Sequence, residues 1–201
     1  MLKRTDIDSV IFDLGLVIIN YMPRKYLEDL FPGEKDRAEA VFRATFGSPL
    51  WLMLDNGDFV EEEAIRRMIL QTPELEADIR TAMVGWPHDM LSPLEAAQWL
   101  EKLKAAGYRL YVLSNISVLA FEYIRTTYGF MGCFDGMVAS AAEKVSKPDP
   151  KIFTLLAERF GLEPFHSVFI DDSRKNTEAA EALGFCAINY TGVDDLKQFF
   201  E

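Results

Sequence analysis

Five short apolar runs decide what this chain can fold into: Val10 up to Asp13, Tyr108 to Leu113, Met137 to Ala139, Val168 to Ile170 and Ala187 to Tyr190. Each is rich in Val, Ile, Phe or Tyr, and none alternates apolar with polar residues as a strand with one wet face must. Runs of this kind suit strands buried on both sides, which requires helices on both faces of a parallel sheet. Helical patterns lie between them. Ser92-Pro93 predicts a helix start, with Ser92 as N-cap, Pro93 in the first turn and Glu95 completing a capping box. Ala96, Trp99, Leu100 and Leu103 then share a face, and Gly107 stops the helix. Asp149-Pro150 opens a second helix, with Ile152, Phe153, Leu156 and Phe160 along its stripe before Gly161, and residues Thr177 to Leu183 before Gly184 read as a third. Strand and helix thus alternate over residues 92–200, which predicts an α/β fold with a Rossmann-like, doubly wound parallel sheet.

Residues between Pro23 and Met90 show helical periodicity (Arg24 to Phe31, Glu34 to Phe46, Val60 to Leu70, Glu74 to Val84) and no convincing strand. They read as an all-helical cap, residues 21–90, inserted into a catalytic core made of residues 1–20 and 91–201.

The informative polar residues fall at or soon after strand ends, the edge of an open α/β sheet where ligands bind. Asp13 closes the first run, Ser114 and Asn115 the second; Lys147 follows the third, and Asp171 and Asp172 close the fourth. A carboxylate at such a position can act as a nucleophile toward phosphorus. Two or three clustered carboxylates need a cation beside them, and hard oxygen ligands select Mg²⁺. Ser114 and Asn115 can donate to phosphoryl oxygens, and Lys147 adds a fixed positive charge. Each residue alone also reads as a turn or helix-cap residue; the ordered set of four is what points to chemistry.

These four elements resemble the sequence motifs of the haloacid dehalogenase-like superfamily, from Asp13 to Asn176. The resemblance implies that Asp13 is the nucleophile, Ser114 the phosphate-binding residue of the second motif and Lys147 the lysine of the third. It also implies Asp172 as the principal acidic metal ligand with Asp171 beside it, and the Gly15 carbonyl as a backbone ligand. Asn176 stands where many members carry a second acid. One departure is chemical. Most phosphatases and mutases of the superfamily have Asp two residues after the nucleophile as general acid and base; here that residue is Gly15. The motif Phe-Asp-Leu-Gly-Leu-Val is similar to a branch regarded as phosphatases of small metabolites. The expected activity is therefore Mg²⁺-dependent hydrolysis of a small phosphorylated metabolite, such as a sugar phosphate, through an aspartyl phosphate on Asp13. The alternatives are a 2-haloacid dehalogenase, which also lacks the second Asp but has Ser-Ser-Asn in place of the acidic pair, and a catalytically weak protein that binds a phosphorylated ligand.

Charge narrows the partners. Of 201 residues, 32 are acidic and 21 basic, for a formal net charge of −11, which repels nucleic acid and anionic membranes alike. Cys133 and Cys186 lie in apolar stretches and read as buried thiols of a reduced protein. The apolar stretch Val10 to Met22 is interrupted by Asp13 and Asn20, too polar for a signal peptide or membrane span. A cytoplasmic monomer or homodimer is expected. Asn20 and Tyr21 lie where the chain leaves the core and either can face substrate, with packing the simpler reading for Tyr21. Trp51 reads as cap core ahead of an Asp55-Asn56-Gly57-Asp58 turn. His88 is a candidate replacement for the missing acid, although a hinge position is the plainer reading, and His166 reads as structural.

Overall fold

The computed structural model describes residues 6–201. Five parallel strands, β1 (Ser9–Phe12), β2 (Arg109–Ser114), β3 (Gly136–Ala139), β4 (Ser167–Asp171) and β5 (Cys186–Asn189), form one sheet in the order β3-β2-β1-β4-β5. The chain winds outward from β1 in both directions, so the switch point lies at β1. Phe12 is in register with both Val112 and Ile170, which brings the ends of β1, β2 and β4 to one level.

Both faces are covered, as the continuous apolar runs require. Ile11, Leu113 and Phe169 pack in one cluster with Ile152, Phe153 and Leu156 of α10 (Pro150–Phe160) and Ala180 of α11 (Arg174–Ala182). Val10, Phe12, Val112 and Ile170 face the other way. They join Leu100 and Leu103 of α7 (Trp99–Ala105), Ile124 of α8 (Val118–Thr127) and Leu196 of α12 (Val193–Phe200). Each such side chain taken fully from water contributes roughly 1.5–3 kcal/mol, which is what holds a sheet with no wet face.

Local signals set the helix ends. At α10 the Asp149 carboxylate accepts from Lys151 N at 2.9 Å, Pro150 occupies the first turn, and Gly161 closes the helix at φ +61°. The start expected at Ser92 does not form. Ser92 O accepts from Asn20 N (2.7 Å), Pro93 pairs with Ile19, and Leu94 N donates to Ile18 O (2.8 Å). Residues 92–94 instead satisfy the backbone of the buried loop after β1, and the helical turn opens at Glu95 ahead of α7.

Between β1 and α7 run six α-helices: α1 (Pro23–Leu30), α2 (Lys35–Ala44), α3 (Pro49–Asp55), α4 (Glu61–Gln71), α5 (Glu76–Met83) and α6 (Trp86–Met90). No strand lies among them. Phe46, Trp51 and Trp86 form their aromatic centre, with ring centroids 4.6 to 5.7 Å apart. Helix α3 opens on Ser48, whose hydroxyl accepts from Trp51 N at 3.3 Å, with Pro49 in its first turn. The remaining short helix, α9 (Ser140–Glu143), follows β3. Cys133 and Cys186 are free thiols, partly rather than fully buried against the core. No helix of the described residues is long and apolar enough to cross a membrane.

Candidate active site

Asp13 leaves the sheet at its switch point. Its N–H donates to Ile170 O (2.9 Å), which ties its backbone to β4, and its carboxylate accepts from Leu14 N (2.7 Å), which fixes the side chain. The chain then folds back sharply. Leu14 O accepts from the N–H groups of Val17, Ile18 and Ile19 (3.3, 2.9 and 2.8 Å), and Leu16 takes a left-handed conformation at φ +59°. A non-glycine residue held there costs on the order of 1 kcal/mol or more and is common beside functional groups. Gly15 is not left-handed, and a Cβ added to it would meet no atom within 4 Å.

Lys147 reaches this point from the loop beyond α9. Its ammonium lies 2.9 Å from Asp13 Oδ1 and 2.6 Å from Asp171 Oδ2, and all three side chains are buried. Asp171 is held by further donors, Ser173 N at 2.8 Å and Asn176 Nδ2 at 3.0 and 3.1 Å. The Ser114 hydroxyl donates to the Asp13 carboxylate. Asn115 has a different task. Its side chain accepts from Lys147 N and donates to Lys147 O, both at 2.8 Å, so it clamps the lysine's backbone and positions the ammonium.

The electrostatics follow from burial. It lifts the Asp13 carboxyl above its ordinary range, against the pull of Lys147 and with the aid of Asp171. Burial would pull Lys147 down, but Asp13 and Asp171 outweigh it and hold the ammonium charged. Asp172 is pushed up to about 6, first by burial and then by the charges of Asp13 and Asp171. Asp13, Asp171 and Asp172 each offer a carboxylate oxygen within 4.8 Å of the others. Three acids facing one lysine leave an excess of negative charge, and their oxygens are hard donors suited to Mg²⁺. The residues fit a divalent cation. Asp171 is already surrounded by Lys147, Ser173 and Asn176, which leaves Asp13 and Asp172 with the freer oxygens.

Beside the cluster lies a small cavity of about 80 Å³ between the sheet edge and the helical segment. Gly15, Ser114 and Asn115 line it from the sheet; Tyr21, Trp51 and Asp55 line it from the other side. The remaining lining is apolar, including Ile19, Trp86, Leu91 and Ile124. Asp55, at the end of α3, accepts hydrogen bonds from Ser117 N and the Trp51 indole, and burial pushes its carboxyl up to about 7. From spacing alone Asp55 is a turn residue; its neighbourhood depends on contacts between segments distant in the chain. Burial raises the Tyr21 phenol, and the neighbouring Asp55 charge raises it further. His88 is exposed on α6 and pairs with Asp89 (2.8 Å) away from the cavity, and His166 Nδ1 bonds Asp6 O (2.6 Å) at the far end of β4.

Comparison with known proteins agrees with this geometry. A sesquiterpene phosphatase of Aspergillus oryzae is 23% identical over 187 residues, covering 93% of this chain and 91% of its own. An (S)-2-haloacid dehalogenase of Pseudomonas putida is 25% identical over 193 residues, covering 92% and 85%. Among solved structures, an enzyme of the same fold from Bacteroides thetaiotaomicron, crystallised with magnesium and inorganic phosphate, superposes with a TM-score of 0.77 at 23% identity, covering 97% of this chain and 100% of that one. The model of the haloacid dehalogenase-like hydrolases matches residues 5–184, and the chain belongs to that family.

Proposed function

We propose that this protein is a Mg²⁺-dependent phosphomonoesterase acting on a small phosphorylated metabolite, with residues 21–90 serving as a helical cap over a core of residues 1–20 and 91–201. The observation that carries the reading is the acidic cluster: Asp172 stands beside Asp13 and Asp171 with one lysine to offset three carboxylates. Carbon–halogen displacement needs no such excess of charge, because halide leaves without a proton or a metal. The phosphatase relative and the magnesium–phosphate complex of the Bacteroides enzyme support the same choice.

In this reading Asp13 attacks phosphorus and becomes the aspartyl phosphate. Ser114 donates to a phosphoryl oxygen, and Lys147 faces both the nucleophile and the transferring group. Asn115 acts on the substrate indirectly, by positioning Lys147. Asp13, Asp172 and the Gly15 carbonyl would hold the metal, with Asp171 behind them, and the chemistry it would supply is neutralisation of charge on the phosphoryl oxygens. The cavity's small size and apolar lining favour a compact, partly apolar alcohol over a sugar as the leaving group.

The test is phosphate release from p-nitrophenyl phosphate and a panel of phosphate esters, with Mg²⁺ and with EDTA. Turnover is expected to need the metal and to fall by at least ~10³-fold in Asp13→Asn. Mg²⁺ is also expected to raise the melting temperature of the resting protein. The second reading, a 2-haloacid dehalogenase, is favoured by Gly15 and by the dehalogenase relatives; halide release without metal, and none of phosphate, would establish it instead.

A further inference from the structure

The phosphatase reading leaves one step without a residue. An alkoxide leaving from phosphorus needs a proton, the water that later attacks the aspartyl phosphate must lose one, and Gly15 can do neither. On that reading, we propose that Asp55, on the cap side of the cavity, is the general acid and base for both half-reactions.

Position argues first. Asp55 lines the same cavity as Gly15, Ser114 and Asn115. With no side chain at Gly15, nothing fills the space on that side, and a leaving group seated in the cavity extends from phosphorus toward Asp55. The end of α3 is also pinned to the core and is not a free lid. Ser140 Oγ donates to Asp55 O while accepting from Ile116 N (2.9 Å), Ser146 Oγ donates to Asn56 Oδ1 (2.9 Å), and Ser117 N donates to the Asp55 carboxyl. At Gly57, φ +77°, an added Cβ would lie 2.1 Å from Ala141 O. Residues 55–57 thus meet the core at bare backbone, fixing the carboxyl against the edge that carries Ser114.

Chemistry argues second. Tyr21 and Asp55 are the titratable side chains that line the cavity, and no cation lines it. Of the acids on packed neighbours, Glu61 on α4 accepts from the Trp86 indole (2.6 Å) and Glu143 on α9 pairs with Arg159 (2.6 Å). Burial lifts the Asp55 carboxyl to about 7, and its two hydrogen-bond donors are neutral and oppose this only in part, so it titrates where a group can both give and take a proton efficiently. The Tyr21 phenol is raised too far to act as a base.

The balance is simple. Asp13 attacks phosphorus, the P–O ester bond breaks, and Asp55–COOH protonates the departing oxygen to release the alcohol. The Asp55 carboxylate then takes a proton from the incoming water as its oxygen bonds to phosphorus and the P–O bond to Asp13 breaks. Phosphate leaves, and Asp13 carboxylate and Asp55–COOH are restored.

Asp55→Asn keeps the side-chain shape and an oxygen to accept from Ser117 N and the Trp51 indole. The variant should be compared with the wild type by rapid mixing in Mg²⁺, using p-nitrophenyl phosphate, whose leaving group departs without a proton, and a small alkyl phosphate. Expected for p-nitrophenyl phosphate is a nitrophenolate burst within about tenfold of the wild-type rate, then steady-state turnover slowed roughly 10²-fold or more. Turnover of the alkyl ester should fall at least as far with no burst of alcohol, and the basic or acidic limb of the wild-type pH profile assigned to this group should vanish. Gly15→Asp in the Asp55→Asn background should restore alkyl ester turnover. Equal loss in the burst and on both esters, or no loss on either, would overturn the role of Asp55 while leaving the phosphatase standing. Absence of wild-type turnover on every phosphate would remove the phosphatase reading and this proposal together.

Discussion

Asp171 and Asp55 are both carboxylates drawn away from water beside the same site, yet their surroundings give them different work. At the end of β4, Asp171 meets an ammonium at 2.6 Å, a backbone N–H and an amide. Its charge is balanced, and it serves to fix Lys147. At the end of α3, Asp55 meets an indole N–H and a backbone N–H with no cation, and its proton is retained to about 7. Burial with a counter-charge makes a fixed electrode; burial with neutral donors makes a proton carrier. The sheet edge supplies the first and the inserted helices the second.

The strongest way to break this comparison is to remove the counter-charge. Lys147→Met is expected to destabilise the protein by about 3–5 kcal/mol, because it strands Asp13 and Asp171 without their buried partner. Urea unfolding in EDTA would measure the loss. Added Mg²⁺ is expected to recover part of it by balancing the same carboxylates. A loss below about 1 kcal/mol would mean that the cluster is not balanced by this lysine.

At Asp55 the expected sign is opposite. The folded carboxyl titrates near 7 and the ordinary value is 3.8, so between those limits the folded state holds a proton that the unfolded chain has lost. Stability from this group is intact below the ordinary value and is lost as pH rises through the folded one, up to roughly 4 kcal/mol on the alkaline side. Asp55→Asn carries no such proton. The variant is expected to match the wild type near about pH 4 and to exceed it in unfolding free energy near about pH 8. A difference between the two that does not change with pH would show that Asp55 does not titrate in this window.

That contrast also marks what the sequence made legible. The doubly wound sheet was readable because strands buried on both faces leave continuous apolar runs, and Asp13, Ser114, Lys147, Asp171 and Asp172 were readable because strand ends converge. The misreadings have a common cause. Ser48-Pro49 and Ser92-Pro93 carry the same helix-start signal, but only the first opens a helix directly. At Ser92 the backbone is claimed by Asn20 and Ile18, far off in the chain. The turn expected at Asp55-Asn56-Gly57-Asp58 does follow α3, but the burial of Asp55 was not legible, since its partners Ser117, Ser140 and Tyr21 come from other segments. Asn115 sits at the expected strand end, but its amide is engaged by Lys147, a bond that spacing does not reveal.

A smaller effect sharpens the positioning argument. Asn115→Ala removes both hydrogen bonds to the Lys147 backbone and is expected to cost about 1–3 kcal/mol. Because the ammonium then loses its aim, kcat is expected to fall more than KM rises. A change confined to KM would make Asn115 a direct substrate ligand instead.

The smallest expected effect separates Asp55 from the residue that sequence alone put forward as a proton donor. His88 carries the imidazole nearest in sequence to the return into the core, but its side chain is 81% exposed and turned to Asp89. A solvated imidazole outside the cavity cannot reach a leaving group seated beside Gly15, whatever its charge. His88→Ala is therefore expected to leave stability within about 0.5 kcal/mol and alkyl phosphate turnover within about twofold, with the pH profile unmoved, since no proton-transfer term of order 10²-fold is lost. Measured beside Asp55→Asn on the same ester, the pair decides which part of the helical segment supplies the proton. Loss of turnover in His88→Ala with Asp55→Asn unaffected would require the helices between β1 and α7 to move far enough to carry α6 over the cavity, and the pinned contacts of residues 55–57 would then have to open during each turnover.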